Sequence, residues 1–204
     1  GGLGGIGIEM AKYLATQNRV KLVLIGRAGL PPHESWSGIS KEESKQAEKI
    51  RVLLEIEQSG SRVLVISADV SNPVQMEKAI IEVHEKSGKI DGVIHCAGIA
   101  GEGFLFKKEE DTFINVLRPK IQGTWILDRL TREDTPDFFI LCSALTALTG
   151  AVGQGDYTAA NAYLDAFSAF RNREGQKTLS INWPAWKETG MAFDWGVSQT
   201  QYAI

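Results

Sequence analysis

Gly1-Gly2-Leu3-Gly4-Gly5-Ile6-Gly7 opens the chain, and no other stretch constrains the architecture as tightly. It fits G-x-x-x-G-x-G from Gly1 and G-x-G-x-x-G from Gly2. When a helix follows, such glycines allow a tight turn, bring the backbone against a pyrophosphate and aim the helix's free N–H groups at it. Residues 6–16 carry apolar side chains at three- and four-residue spacings, so a helix is expected at once. Leu3 and Ile6 inside the run, and the absence of serine, set it apart from a flexible linker. Gly1, Gly2, Leu3, Gly4, Gly5 and Ile6 are therefore candidate cofactor-binding residues.

Beyond this turn, short apolar runs alternate with longer amphipathic ones, the pattern of a parallel sheet wrapped by helices. Strands are expected at residues 21–26, 62–68, 92–96, 138–142 and 179–183, and helices at 6–16, 41–58, 73–86, 110–130 and 155–173. The fold class is α/β, a Rossmann-like doubly wound parallel sheet with helices on both faces. Residues 28–40, with two prolines and two glycines, read as an exposed excursion. A glycine turn of this kind directly follows a central strand, and none precedes Gly1. Without that strand two edges keep unpaired backbone groups, each costing about 1–3 kcal/mol. The chain is thus expected to be a segment of a longer polypeptide, truncated at its N-terminus.

The 204 residues suit one domain, 1–204. Hydrophobic residues at 43% and charged residues at 23% exclude disorder. Twenty-two Lys plus Arg against 25 Asp plus Glu, with no block of like charge, give no electrostatic support to nucleic-acid binding. No apolar run spans a bilayer and no secretory n-region opens the chain, so no membrane partner and a cytoplasmic location are expected. Cys96 and Cys142 lack Cys-x-x-Cys partners and read as small buried hydrophobes, and no metal site is expected.

After the strand at 21–26 stands Gly26-Arg27, where NAD enzymes usually carry an acidic residue for the ribose hydroxyls. Arginine's planar fork suits a 2'-phosphate instead, which favours NADP(H). Asp69 ends the next strand and can accept from the adenine amino group, or else cap the helix entered at Asn72-Pro73. Ala97-Gly98 are small where a cofactor passes the backbone. Ser143 closes the following strand, and Tyr157 begins a helix on which Asn161 shares its face. Lys120 lies on a preceding helix and can bring an ammonium near the tyrosine.

These features resemble the ketoreductase domains of modular polyketide synthases, a branch of the short-chain dehydrogenase/reductases. The resemblance covers nearly the whole chain. It rests on the glycine turn, Gly26-Arg27, Ala68-Asp69-Val70, His95-Cys96-Ala97-Gly98, Arg118-Pro119-Lys120-x-x-Gly123, the serine strand, Gln154-Gly155-Asp156-Tyr157 with Ala160-Asn161, and Asn182-Trp183-Pro184 with Gly190-Met191-Ala192. Most short-chain reductases carry Lys four residues after the active tyrosine; here Asn161 stands there and the lysine is Lys120, an exchange similar to the polyketide branch. Two departures stand out. Ala100-Gly101-Glu102 replaces the Leu-Asp-Asp of one stereochemical class, and Thr149 replaces the Trp of the other, so product configuration stays open.

The resemblance implies a tetrad of Lys120, Ser143, Tyr157 and Asn161. Tyr157 is the acid, its pKa expected to be pulled down by the Lys120 cation. Ser143 hydrogen-bonds the same oxygen, and Asn161 orders Lys120 or a water chain behind it. Val70 joins the cofactor residues, Pro184 places backbone beside the nicotinamide, and residues 184–204, with Trp186, Met191, Phe193 and Trp195, form a lid. The implied activity is NADPH-dependent reduction of a ketoacyl thioester. Its implied partners are an acyl carrier protein bearing a phosphopantetheine-linked chain, an N-terminal structural subdomain and other domains of the same synthase. Two other readings stay open: a catalytically silent scaffold module, and a free-standing NADPH-dependent carbonyl reductase.

Overall fold

The computed structural model describes residues 1–101 and 103–194. The elements run α1 (Gly5–Gln17), β1 (Lys21–Gly26), α2 (Trp36–Ile39), α3 (Lys45–Gln58), β2 (Arg62–Ser67), α4 (Pro73–Ser87), β3 (Gly92–His95), α5 (Glu110–Thr131), β4 (Phe138–Ala144), α6 (Thr146–Thr149), α7 (Gly155–Arg173), β5 (Thr178–Trp183) and α8 (Met191–Asp194). Among the described residues every strand pairing is parallel, in a β1-β2 sheet and a β3-β4-β5 sheet.

Strand side chains alternate between faces, and the packing follows that alternation. Leu22 and Leu24 of β1, with Val63 and Val65 of β2, pack against Ala11 and Ala15 of α1 and Ile50, Leu53 and Ile56 of α3. Val23, Ile25, Leu64 and Ile66 join a second core with Met76 of α4, Leu127 of α5 and Leu164 and Phe167 of α7. Phe139 and Leu141 of β4 lie in that same core, so one apolar body unites the two sheets. Phe139, Met76, Leu164, Ile50 and Leu53 are fully buried, each contributing roughly 1.5–3 kcal/mol. Helices thus cover both faces, as a doubly wound sheet requires.

Among the described residues β1 pairs only with β2, and β3 only with β4. Between β1 and β3 runs part of a cavity of about 1340 Å³, lined by Leu22, Leu24, Val93 and Ile94 and continuous with the glycine turn.

Among the departures from expectation, two element ends and one loop have clear local reasons. Helix α3 starts at Lys45 rather than 41 because the Ser44 hydroxyl accepts from Ala47 N (3.1 Å) and caps it. Strand β4 continues to Ala144 because β5 pairs Ser143 with Asn182 and Ala144 with Trp183. Residues 28–40 are not simply exposed. Trp36 is 3% exposed, joins the α1–α3 core, and donates through Nε1 to Pro31 O at 2.9 Å.

Candidate active site

The glycine turn is pressed onto the ends of β1 and β3. Gly1 and Gly2 N–H groups both donate to Ile25 O, at 2.8 and 3.0 Å. A Cβ on Gly1 would overlap Ala97 N, one on Gly2 would lie 2.9 Å from Leu24 Cα, and one on Gly7 would lie 2.5 Å from Gly1 O. Side chains at these places would lift the turn off the sheet. Gly4 caps α1 without any side-chain acceptor, so the helix presents its first-turn N–H groups with only its own dipole behind them. This is a cradle fit for a pyrophosphate.

Around it the cavity gathers Arg27, Asp69, Val70, Ala97 and Gly98 together with Gly1, Gly2, Leu3, Gly4, Gly5 and Ile6. Arg27 is exposed just past β1. The helix α4 is capped by Asn72, whose side chain accepts from Gln75 N at 3.1 Å, and not by Asp69. Asp69 instead uses Oδ1 to accept from Ser71 N at 2.8 Å. Pro184 is exposed past β5, outside this cavity lining. The following segment folds back onto the cradle: a Cβ on Gly5 would overlap Thr189 Oγ1, and Met191 Cε approaches Gly98. Trp186 stacks edge-on against Trp183 at 5.1 Å, Phe193 is exposed, and Trp195 lies outside the described residues.

Gly98 separates the cavity from the second cluster, since a Cβ there would lie 3.0 Å from Lys120 Cε. Lys120, Ser143 and Asn161 are buried and Tyr157 is half-buried. The Lys120 ammonium donates to Cys142 O at 2.8 Å and stands 5.9 Å from the centroid of the Tyr157 ring. The Asn161 amide donates to Tyr157 O at 2.7 Å, and the Ser143 hydroxyl donates to Asn161 O at 3.2 Å. The four residues form one connected group at the carboxyl ends of β3 and β4. Among the described residues no donor reaches the buried Asn161 Oδ1.

Burial sets the electrostatics here. It pulls the Lys120 ammonium down to about 8, against the opposing influence of Cys142. It pushes the Tyr157 phenol up, so the expected lowering by Lys120 does not occur; the cation faces the Cys142 carbonyl while desolvation acts directly on the ring hydroxyl. His95 is pulled down to about 3 by burial and then by Lys120. It is therefore a neutral ring whose Nε2–H donates to Pro119 O at 2.9 Å, fixing the residue next to Lys120. Cys96 and Cys142 are free thiols with sulfurs 3.3 Å apart; their mutual contact, and then burial, push Cys96 up.

Residues 1–188 match the family model of the KR domain. The chain belongs to the ketoreductase domain family of polyketide synthases. This KR chain is 39% identical over 197 residues to Polyketide synthase PksL of Bacillus subtilis, covering 94% of its own length and 4% of that protein. It is 34% identical over 205 residues to a 6-methylsalicylic acid synthase of Arthrobotrys oligospora, covering 99% of itself and 11% of the relative. Among solved structures it resembles an N-terminal ketoreductase from the macrolactin assembly line, with TM-score 0.79 and 34% identity over 91% of this chain and 36% of that one. A ketoreductase domain from the bacillaene assembly line gives TM-score 0.80 and 31% identity, over 93% and 44%. KR domains are nicotinamide-dependent oxidoreductases that carry out ketoreduction. Among the described residues no helix of this KR chain is long and apolar enough to cross a membrane.

The KR fold adds contacts that the sequence did not announce. Asn182 Nδ2 reaches Ser143 Oγ at 3.2 Å and Asp165 Oδ2 at 2.8 Å, and Asp165 Oδ1 accepts from Ser180 Oγ at 2.5 Å. Asp165 follows Asn161 by four residues on α7, a helical spacing that hinted at a shared face.

Proposed function

We propose that this chain uses NADPH to reduce the keto group of a ketoacyl thioester carried on the phosphopantetheine arm of an acyl carrier protein, giving the hydroxyacyl thioester. The observation that carries the reading is the buried Lys120 ammonium beside the half-buried, protonated Tyr157, with Ser143 and Asn161 joined to it. The glycine cradle would hold the pyrophosphate, and the exposed fork of Arg27 suits a 2'-phosphate. Asp69, relieved of helix capping by Asn72, would accept from the adenine amino group, while Val70, Ala97 and Gly98 line the same cavity. Pro184 begins the segment that returns over the cradle at Thr189, and this segment is the lid that must open for entry and close for reaction.

The chemistry that a bound NADPH supplies is hydride delivery to the carbonyl carbon. Tyr157 gives its phenolic proton to the carbonyl oxygen as charge develops there, and its raised pKa keeps that proton in place at neutral pH. Ser143 accepts from Asn182, which leaves the serine hydroxyl hydrogen free to turn from Asn161 O to the substrate oxygen. Lys120 would stabilise the tyrosinate left behind by turning its ammonium from the Cys142 carbonyl toward the new phenolate, and the unpartnered Asn161 Oδ1 suits a water that returns the proton. The carrier protein, a structural subdomain and the other domains of one synthase are the partners this role requires. The relatives named above, of which this chain spans 4% and 11%, are multidomain synthases. An extended strand entering between β1 and β3 would satisfy both free edges.

The test is NADPH oxidation by the natural polypeptide that carries these residues, presented with a 3-ketoacyl thioester on a carrier protein and as a free thioester. Turnover with NADPH well above NADH, and faster on the carrier, is expected. An Arg27→Ala variant is expected to lose roughly tenfold in NADPH affinity and none in NADH affinity. NADPH binding without oxidation would return the scaffold reading. Equal rates on a free ketone would return the free-standing reductase.

A further inference from the structure

Lys108 and Asp156 form an ion pair whose side chains are 2% and 0% exposed, with Nζ and Oδ2 at 2.5 Å. Neither residue belongs to the tetrad or the cradle, yet Asp156 immediately precedes Tyr157. Its other oxygen, Oδ1, accepts from the Tyr157 backbone N–H at 2.9 Å in the first turn of α7. Taking two charges out of water is costly, so a buried pair of this kind is weak evidence of stability and what it does must be sought in the geometry it fixes.

The segment it holds has little core of its own. Phe104, Leu105 and Phe106 are all more than half exposed, and Phe104 stacks on Phe106 at 5.6 Å without reaching either apolar core. This segment touches the start of the tyrosine helix at successive points. A Cβ on Gly101 would overlap Asp156 Oδ1, one on Gly153 would lie 3.5 Å from Gly103 N, and one on Gly155 would lie 2.8 Å from Leu105 Cδ1. Glycine at 101 and 155 leaves room for the Asp156 carboxylate and the Leu105 side chain, whereas at 153 a Cβ would be in ordinary contact. The 108–156 ion pair closes the far end of that contact, so residues 103–108 lie as a strap across the first turn of α7.

We propose that Lys108 and Asp156 are positioning residues, whose pair straps residues 103–108 to the tyrosine helix and thereby fixes the Tyr157 hydroxyl relative to Ser143. The proposal rests on the reading of Tyr157 as proton donor. Its action is on the tyrosine backbone, through Asp156 Oδ1, and on the wall of the site, through the strap.

Removing one partner alone leaves an uncompensated buried charge and endangers folding. The test therefore uses Lys108→Met with Asp156→Asn together, which removes both charges, keeps the volumes and keeps an oxygen for the Tyr157 N–H. Gly101→Ala is the second variant; it pushes the chain off Asp156 with both charges retained. In each, kcat for the ketoacyl thioester is expected to fall about 10- to 100-fold with NADPH affinity unchanged, because a misplaced acid loses rate and not cofactor. Hydrogen exchange at residues 103–108 and 155–158 is expected to accelerate in both variants. A folded variant of either kind with kcat near the parent's, or a parallel loss of NADPH affinity, would overturn the proposal; if the double variant does not fold, Gly101→Ala decides. If the parent shows no turnover, the proton-donor reading fails on that result alone. Unchanged exchange in the variants would then overturn the strap separately.

Discussion

The region around β1 and the region around β4 solve different problems with different atoms. Beside β1 the site is made of backbone: seven residues of which five are glycine, hydrogen-bonded through Gly1 and Gly2 to Ile25 O, opening a helix that no side chain caps. Beside β4 it is made of side chains: Lys120 donates to Cys142 O, Ser143 to Asn161 O, and Asn182 to Ser143 Oγ and Asp165 Oδ2, with Lys120, Ser143 and Asn161 buried. Backbone N–H groups bind an anion without titrating, whereas buried side chains hold protons at shifted affinities. The molecule thus separates holding a cofactor from moving a proton, and Gly98 marks the boundary against Lys120.

The separation can be broken from either side. Ser143→Ala removes a donor aimed at the developing charge, and kcat is expected to fall roughly 100- to 1000-fold, with NADPH affinity by titration unchanged. Gly7→Ala acts on the other region. Its methyl would stand 2.5 Å from Gly1 O and 2.9 Å from Gly2 O, lifting the turn, so NADPH affinity is expected to weaken about 10- to 100-fold while bound enzyme turns over near the parent rate. If either variant damaged both readouts equally, the two regions would be one unit.

A milder perturbation sharpens the same contrast. Lys120 holds its proton only up to about pH 8 in the fold, against 10.5 as its ordinary value. As pH rises through 8 the folded protein loses a cation that the unfolded chain still keeps, so turnover is expected to decline while conformational stability rises between about 8 and 10.5. NADPH affinity is expected to stay flat over the same range. Profiles of kcat, denaturation midpoint and affinity against pH check this, and Lys120→Met is expected to erase the stability rise.

Why so much of the backbone region was legible is clear from its residues. Leu22 and Leu24 alternate with Val23 and Ile25 between two cores, and the glycines sit where a Cβ has no room. These are local regularities, and a sequence displays them directly. The side-chain region was legible only as a set of candidates. Lys108 and Asp156 are 48 residues apart, and Asn182 meets Ser143 because of a strand register that appears only when β4 and β5 are paired. The sign of the Tyr157 shift also escaped, because proximity to a cation suggested lowering while burial, invisible in one dimension, raised it. Trp36 was hidden by the prolines and glycines around it, which signal a loop whether or not the loop carries an anchor.

The most direct test of the central claim is Tyr157→Phe in the natural polypeptide, with NADPH affinity and ketoacyl thioester turnover measured on the same preparation. Loss of turnover by about 100- to 10,000-fold at unchanged NADPH affinity is the predicted result. Turnover within a few-fold of the parent would contradict it, because the proton would then come from elsewhere.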